Sequence, residues 1–337
     1  MLAAVRREET VEQRDLGQTG LKVSALGYGC GAVGGLMVRG EPAEQNRAVA
    51  RALEAGITYF DTASQYGEGR SEENLGRVLK ELNAWDRVVV GTKVRLQSGE
   101  AADPTPAVRR SLEASLKRLG RDSVDVLHLH NRIDLLPTEA DGGLGLEDAV
   151  GEVAEALKRV REAGLARHIG FTGLGDTHAL REAALADDYE TVQCYYNPIN
   201  PSAGYPGFES TEQDFGGLID TAARAGLGVI GIRVYAAGAV LGRPERHPIA
   251  GGPGRALAGG GEYDADVERA KKLASFVSEL GLESPFELSL RFALAKSGIS
   301  TVLVGLSEFS HLDNAIRWAE RGPLPPDAAR RIVEAAI

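Results

Sequence analysis

RVVVGTKVRLQSGEAADPTPAVRRSLEASLKRLGRDSVDVLHLH, residues 87–130, sets two short β-rich runs on either side of a stretch with helical spacing. The runs are RVVVGTKV (87–94) and SVDVLHLH (123–130), and the stretch between them is AVRRSLEASLKRLG (107–120). Strand, helix and strand in this order make one crossover unit. Strands buried on both faces and joined by helices argue for a parallel sheet.

The same alternation continues in both directions. Toward the amino end come SALGYGC (24–30) and ITYFDT (57–62); toward the carboxyl end come ARHIGFTG (166–173), TVQCYYN (191–197), LGVIGIRVY (227–235) and STVLVGL (300–306). Helical spacing recurs between them in AEQNRAVARALEAG (43–56), SEENLGRVLKELN (71–83) and EDAVGEVAEALKRVREAG (147–164). Gly56, Gly120, Gly164 and Gly226 suit C′ caps before tight turns into the next strand. Eight strands alternating with at least as many helical connections favour a closed (β/α)8 TIM barrel over an open sheet. RDLGQTGLKVS, with Gly17 and Gly20 permitting a turn, reads as an N-terminal β-hairpin. No break in composition divides the chain, so residues 1–337 are expected to form a single barrel domain. Two long loops, 131–145 and 238–263, are expected to rise over the carboxyl-end face, where such barrels carry their sites.

Composition narrows the function. A formal charge of −10 repels nucleic acid and anionic membrane surfaces, and no Lys/Arg cluster offsets it. Cys30 and Cys194 lie far apart in apolar segments, which matches neither a disulfide framework nor metal-ligand spacing and points to a reducing cytoplasm. Charges begin early in MLAAVRREETVEQRD, and no uncharged run approaches ~18 residues, so neither a signal peptide nor a membrane span is expected.

In the barrel, Asp61 ends the second strand, Tyr66 lies in the loop after it, Lys93 ends the third strand and His130 ends the fourth. His128 and His130 alternate with Leu127 and Leu129, so one set faces the barrel interior and the other the helices. Four ionisable groups therefore gather on one rim. A strand-end aspartate is often a turn former and a lysine there is often solvated, but the four together have a chemical use. A tyrosine hydroxyl with a pKa near ~10 exchanges protons poorly at neutrality. An adjacent ammonium would lower that pKa, a carboxylate would hold the ammonium in place, and an imidazole could hydrogen-bond a substrate oxygen. Such a set suits proton donation to a carbonyl oxygen.

These motifs resemble the aldo-keto reductase family over nearly the whole chain. The resemblance is carried by DTAxxYGxGxSExxLG at Asp61–Gly76, GTK at Gly91–Lys93, ARHIGFTG at 166–173, Gln193–Asn197 and Gly305–Asn314. It implies an NAD(P)-dependent oxidoreductase that interconverts a carbonyl (aldehyde, ketone or aldose) and an alcohol or lactone. The catalytic tetrad would be Asp61, Tyr66, Lys93 and His130, with Tyr66 as general acid or base. Within the family the sequence looks most like the bacterial branch of sugar- or pyridoxal-type dehydrogenases and related reductases.

The cofactor, NADP or NAD, would contact Gly29, Cys30 and Gly31 after the first strand, Asp61 at the end of the second, Thr172 and Gly173 after the fifth, and Gln193. The family's Ser-Asn pair reads Thr172-Gly173 here. Ile232, Arg233, Val234 and Tyr235 would run along the nicotinamide, with Ile232 preferred over Tyr235 as the stacking residue. Gly305, Ser307, Ser310, Asp313 and Asn314 would meet the adenosine end, with a helix starting near Ser307 and Ser307 as its N-cap. Val304 and Ser310 stand where many NADP-dependent relatives place Lys and Arg. A substrate pocket short of aromatics and lined by Asn131 and Arg132 would favour a small polar carbonyl or a sugar. No metal site is expected. Two other readings are open: a lyase of the same barrel class forming a Schiff base on Lys93, and a cofactor-binding regulatory protein with little turnover.

Overall fold

The computed structural model describes residues 11–138, 142–207, 213–253 and 263–336. Eight parallel strands close into a barrel: β1 (Leu26–Gly29), β2 (Tyr59–Asp61), β3 (Val89–Val94), β4 (Val124–Leu129), β5 (Ala166–Thr172), β6 (Thr191–Tyr195), β7 (Gly228–Ile232) and β8 (Ile299–Gly305). Each strand pairs with the next in sequence, and β8 returns to β1 through Val304↔Tyr28 and Gly305↔Gly29. The (β/α)8 reading stands, with each of the eight strands inside or within one residue of its expected span.

The helices that follow the strands are α1 (Pro42–Glu54), α2 (Arg70–Glu81), α3 (Pro104–Leu119), α4 (Glu152–Glu162), α5 (Thr177–Leu185), α6 (Leu218–Arg224), α7 (Pro285–Ala295) and α8 (Phe309–Glu320). The single helix expected over 147–164 is broken. Gly151, at φ −106 and ψ −115, separates Leu146–Val150 from α4. Gly56, Gly120, Gly164 and Gly226 all take positive φ, as C′ caps do.

Side chains alternate across the strands. Tyr59, Val126, Ile230 and Leu303 point inward and pack with Leu16, Leu21 and Val23 of the hairpin. That hairpin pairs Gln13–Asp15 with Lys22–Ser24 and plugs the amino end of the barrel. The outward residues Phe60, Val90, Leu127, Leu129 and Val192 join the larger core under the helices. The apolar plug at one end leaves the other end for polar groups.

Among the described residues, the loop after β4 holds a short strand pair, Ile133–Asp134 with Leu144–Gly145, and the loop after β7 opens with a 3-10 stretch, Ala236–Leu241. Residues 139–141 and 254–262 of the two long loops lie outside the described residues. No helix among those described is long and apolar enough to cross a membrane.

Candidate active site

In the barrel Asp61 lies opposite Gly91, and Lys93 stands two residues further along β3, opposite His128, with the parity of Gly91, so the Asp61 and Lys93 side chains meet on the interior face. The Lys93 ammonium donates to Asp61 Oδ1 at 2.5 Å, to the Thr62 carbonyl at 2.9 Å and to the Tyr66 hydroxyl at 3.2 Å. Lys93 is 1% exposed and Asp61 4%, so this is an ion pair removed from water. Gln193 Nε2 donates to the other carboxylate oxygen at 2.6 Å. His130 stands edge-on to Tyr66 with ring centroids 6.0 Å apart, and its Nδ1 meets Gln65 Oε1 at 2.9 Å. His128 faces the interior, with Nε2 3.1 Å from Thr191 Oγ1.

Burial acts against the Lys93 charge, but Asp61, with Tyr66 behind it, holds the ammonium above the ordinary lysine range. Burial raises the Asp61 carboxyl, and Lys93 and Gln193 offset part of that rise. The sequence suggested that Lys93 lowers the Tyr66 pKa. The net shift runs upward: burial raises it, and Lys93, whose charge is largely committed to Asp61, recovers only part. Tyr66 therefore carries its proton at neutral pH. Burial, with the Lys93 and Arg95 charges, pushes His130 down to about 3, so its imidazole is neutral.

Tyr66, Asp61 and His130 open onto a cleft of about 580 Å³. Of the residues expected along a cofactor, Gly29, Gly31, Thr172, Gln193, Ile232, Arg233, Val234, Tyr235, Gly305, Ser307 and Asn314 line it. Several expected residues do not. Cys30 is buried, with its thiol directed at the Tyr28 carbonyl. Gly173 packs against the Gln193 carbonyl instead of the cleft. Ser310 donates to Glu308, and Asp313 pairs with Arg51 at 3.0 Å. Asn131 is also turned away, because its amide pins the Leu96 and Gly142 backbones. Arg132 is tied to Asp134 at 3.1 Å. Helix α8 starts at Phe309 with Glu308 as N-cap, and the Ser307 hydroxyl donates instead to the Gly34 carbonyl at 2.6 Å. Nor is the cleft poor in aromatics, since Tyr235, Phe286 and Trp318 line it.

Other contacts had no periodic signal in the sequence. Arg246 crosses from the loop after β7 and donates to the Ala237 carbonyl at 2.9 Å, the Val33 carbonyl at 3.1 Å and the Gly251 carbonyl. Arg39 answers from the loop after β1, donating to Ile249 at 2.6 Å and Ala32 at 2.5 Å. Two walls of the cleft are thereby clasped together. His247 and His311 also line it, as does Arg243. Gln65 sits inside the DTAxxYG motif, next to Tyr66, and its position was the one available hint of a partner for His130.

Comparison with known proteins agrees with this architecture. The family model described as "Aldo/keto reductase family" matches residues 25–337. L-galactose dehydrogenase of Arabidopsis thaliana is 32% identical over 91% of this chain and 87% of its own length. L-glyceraldehyde 3-phosphate reductase of Escherichia coli is 27% identical over 94% of this chain and 90% of its own. A holo-form aldo-keto reductase from Bacillus halodurans superposes with a TM-score of 0.72 at 23% identity, covering 97% of each chain, and shares the fold.

Proposed function

The chain belongs to the aldo/keto reductase family of NAD(P)-dependent oxidoreductases, and from that premise we infer that it interconverts an aldose or small aldehyde and its alcohol or lactone, with Tyr66 as general acid or base. One observation carries the reading: a tyrosine hydroxyl 3.2 Å from a buried ammonium, on a residue that lines the cleft. The relatives named for L-galactose and L-glyceraldehyde 3-phosphate support a polar carbonyl substrate.

The cleft suits a nicotinamide cofactor. A Cβ on Gly31 would project to within 3.8 Å of the Tyr66 ring, so a bare backbone keeps open the space beside the hydroxyl. Gln193, Thr172, Ile232 and Tyr235 would hold the nicotinamide end, and Gly305, Ser307 and Asn314 the far end. When bound, the nicotinamide supplies or accepts the hydride. In reduction, Tyr66 passes its proton to the carbonyl oxygen, and the Lys93 ammonium stabilises the phenolate left behind. Asp61 holds Lys93 against the demands of burial, and Gln193 holds Asp61. Neutral His130, oriented by Gln65, provides a polar ring edge beside the carbonyl. In oxidation the phenolate takes the proton from the alcohol.

The Schiff-base reading is weaker because a nucleophilic amine must lose its proton, and Asp61 keeps Lys93 charged. Screening aldoses and aldehydes with both cofactors tests the proposal. Replacement of Tyr66 by Phe keeps the ring and removes the proton donor, so turnover falls ~10²-fold or more while cofactor binding is retained. Near-normal turnover in that variant overturns the assignment. A borohydride-trapped substrate adduct on Lys93 would favour the lyase, and cofactor binding without turnover across the panel would favour a regulatory role.

A further inference from the structure

The far end of the cleft is built by two elements, the loop after β7 and the first turn of α8. His247 from the loop and His311 from the helix both line it, with rings 5.8 Å apart and nearly perpendicular. Each ring has its Nδ1 occupied by a backbone donor: Ile249 N–H meets His247 at 3.4 Å and Ser307 N–H meets His311 at 3.3 Å. A neutral imidazole whose Nδ1 accepts must carry its proton on Nε2. Two Nε2–H donors from separate elements therefore point at a common place. The Glu308 carboxylate fills that place, with Oε2 3.3 Å from His247 and Oε1 3.8 Å from His311. Ser310 adds a third donor to the same carboxylate.

The pair of imidazoles is thus an anion receptor with an internal anion seated in it. The Ser310 hydroxyl, with the His311 and His247 imidazoles behind it, holds the Glu308 carboxyl below the ordinary range, so it is ionised at neutral pH. Other charges nearby do little to offset it. Glu44 accepts from Phe309 N–H at 3.1 Å, which places a second carboxylate at the start of α8, and Glu245 lines the cleft. Arg51 is paired with Asp313, Arg47 lies flat over the Phe309 ring at 3.7 Å, and Arg246 and Arg39 are engaged with backbone carbonyls. Among the described residues, Arg233 and Arg243 also line the cleft, and Arg233 donates to the Pro253 carbonyl of this loop at 2.8 Å.

We propose that Glu308 sets coenzyme choice by occupying the His247–His311 receptor, so that the 2′-phosphate of NADP(H) is excluded and NAD(H) is preferred. This rests on the cofactor reading above, in which the end of the dinucleotide remote from the nicotinamide reaches α8. A 2′-phosphate must displace a carboxylate that already accepts from Ser310 and lies 3.3 Å from His247 Nε2, and its own negative charge is repelled by that carboxylate. A free 2′-hydroxyl meets no such conflict and can donate to Glu308.

Trp318 lines the cleft, so quenching of protein fluorescence on titration with NAD+ and NADP+ reads binding without requiring turnover. Wild type should bind NAD+ more tightly. Glu308→Gln keeps the size and removes the charge; it should tighten NADP+ by about tenfold or more while NAD+ changes less than about threefold. Adding His247→Gln and His311→Gln to Glu308→Gln should erase that gain, because the receptor itself is gone. Retention of the far-UV dichroism of wild type by each variant excludes misfolding as the cause. If both dinucleotides bind but Glu308→Gln leaves their ratio unchanged, or if wild type prefers NADP+, this inference alone is overturned. If neither binds, the cofactor reading fails and takes the inference with it.

Discussion

Removing the charge of Lys93 should unsettle the barrel more than the loss of one side chain implies, and removing Asp61 as well should restore much of the loss. With the Lys93 side chain 0% exposed and that of Asp61 5%, the pair at 2.5 Å has a gross attraction of roughly 7 kcal/mol at an effective dielectric of about 20. Desolvation of the two ions opposes it by several kcal/mol each, so the net value of the pair is small. Breaking it from one side is a different matter. Lys93→Met leaves the Asp61 carboxylate with Gln193 as its remaining side-chain donor, and Asp61→Asn leaves the ammonium with the Thr62 carbonyl and Tyr66. Each single change should cost about 3–5 kcal/mol. The double variant buries no charge and should lose far less than the sum, a coupling of about 3 kcal/mol or more. Urea unfolding followed by circular dichroism at pH 7 gives the four free energies. The Lys93→Met penalty should also shrink toward acid pH, because Asp61, already raised by burial and now without its ammonium, can take up a proton. Additive losses, or a Lys93→Met penalty that does not respond to pH, would refute the reasoning.

The pH dependence of carbonyl reduction should be flat between about pH 5 and 9, because His130 stays neutral above about 3 and burial holds the Tyr66 hydroxyl above the ordinary tyrosine range. A limb in the pH–rate profile with a midpoint near 6–7 would show instead that an imidazole titrates in catalysis. Gly31→Val puts branched carbon into the space beside the Tyr66 ring, where even a Cβ would come within 3.8 Å; cofactor affinity should fall by about tenfold, as read by fluorescence titration, with little change in melting temperature. Arg118→Met removes the partner held 2.6 Å from Glu72, a carboxylate that is 0% exposed, and should destabilise the fold by about 3–5 kcal/mol. Thr92 also donates to Glu72, at 2.5 Å, and lies next to Lys93, so turnover should fall in the same variant.

Much of this molecule could be read from its sequence, for identifiable reasons. Strands such as Val89–Val94 and Val124–Leu129 are buried on both faces and bounded by helical spacing, so their period and length were both visible. Asp61, Lys93 and His130 were placed because strand ends in a parallel barrel share one rim, and a fixed topology turns distant positions into neighbours. Side-chain direction in loops was not legible. Asn131 directly follows His130, yet it turns inward to satisfy the Leu96 and Gly142 backbones. Ser307 had the residue type and place of an N-cap, but the close approach of the loop after β1 offered it the Gly34 carbonyl, and Glu308 took the cap position. His247 lies in a glycine- and proline-rich loop with no period to mark it, and only the closure by Arg246 and Arg39 brings it to α8. The sign of the Tyr66 shift was missed for a related reason: the sequence shows which charges are near a group but not how little water reaches it.

The central claim is hydride transfer assisted by a proton from Tyr66. It is tested most directly by incubating the enzyme with nicotinamide dinucleotide deuterated at the reactive ring carbon and a panel of aldoses and aldehydes, then locating the label by mass spectrometry. The account predicts deuterium on the former carbonyl carbon of the product with wild type, and ~10²-fold less labelled product per unit time with Tyr66→Phe. Product without deuterium, or equal labelling by the two proteins, would contradict it.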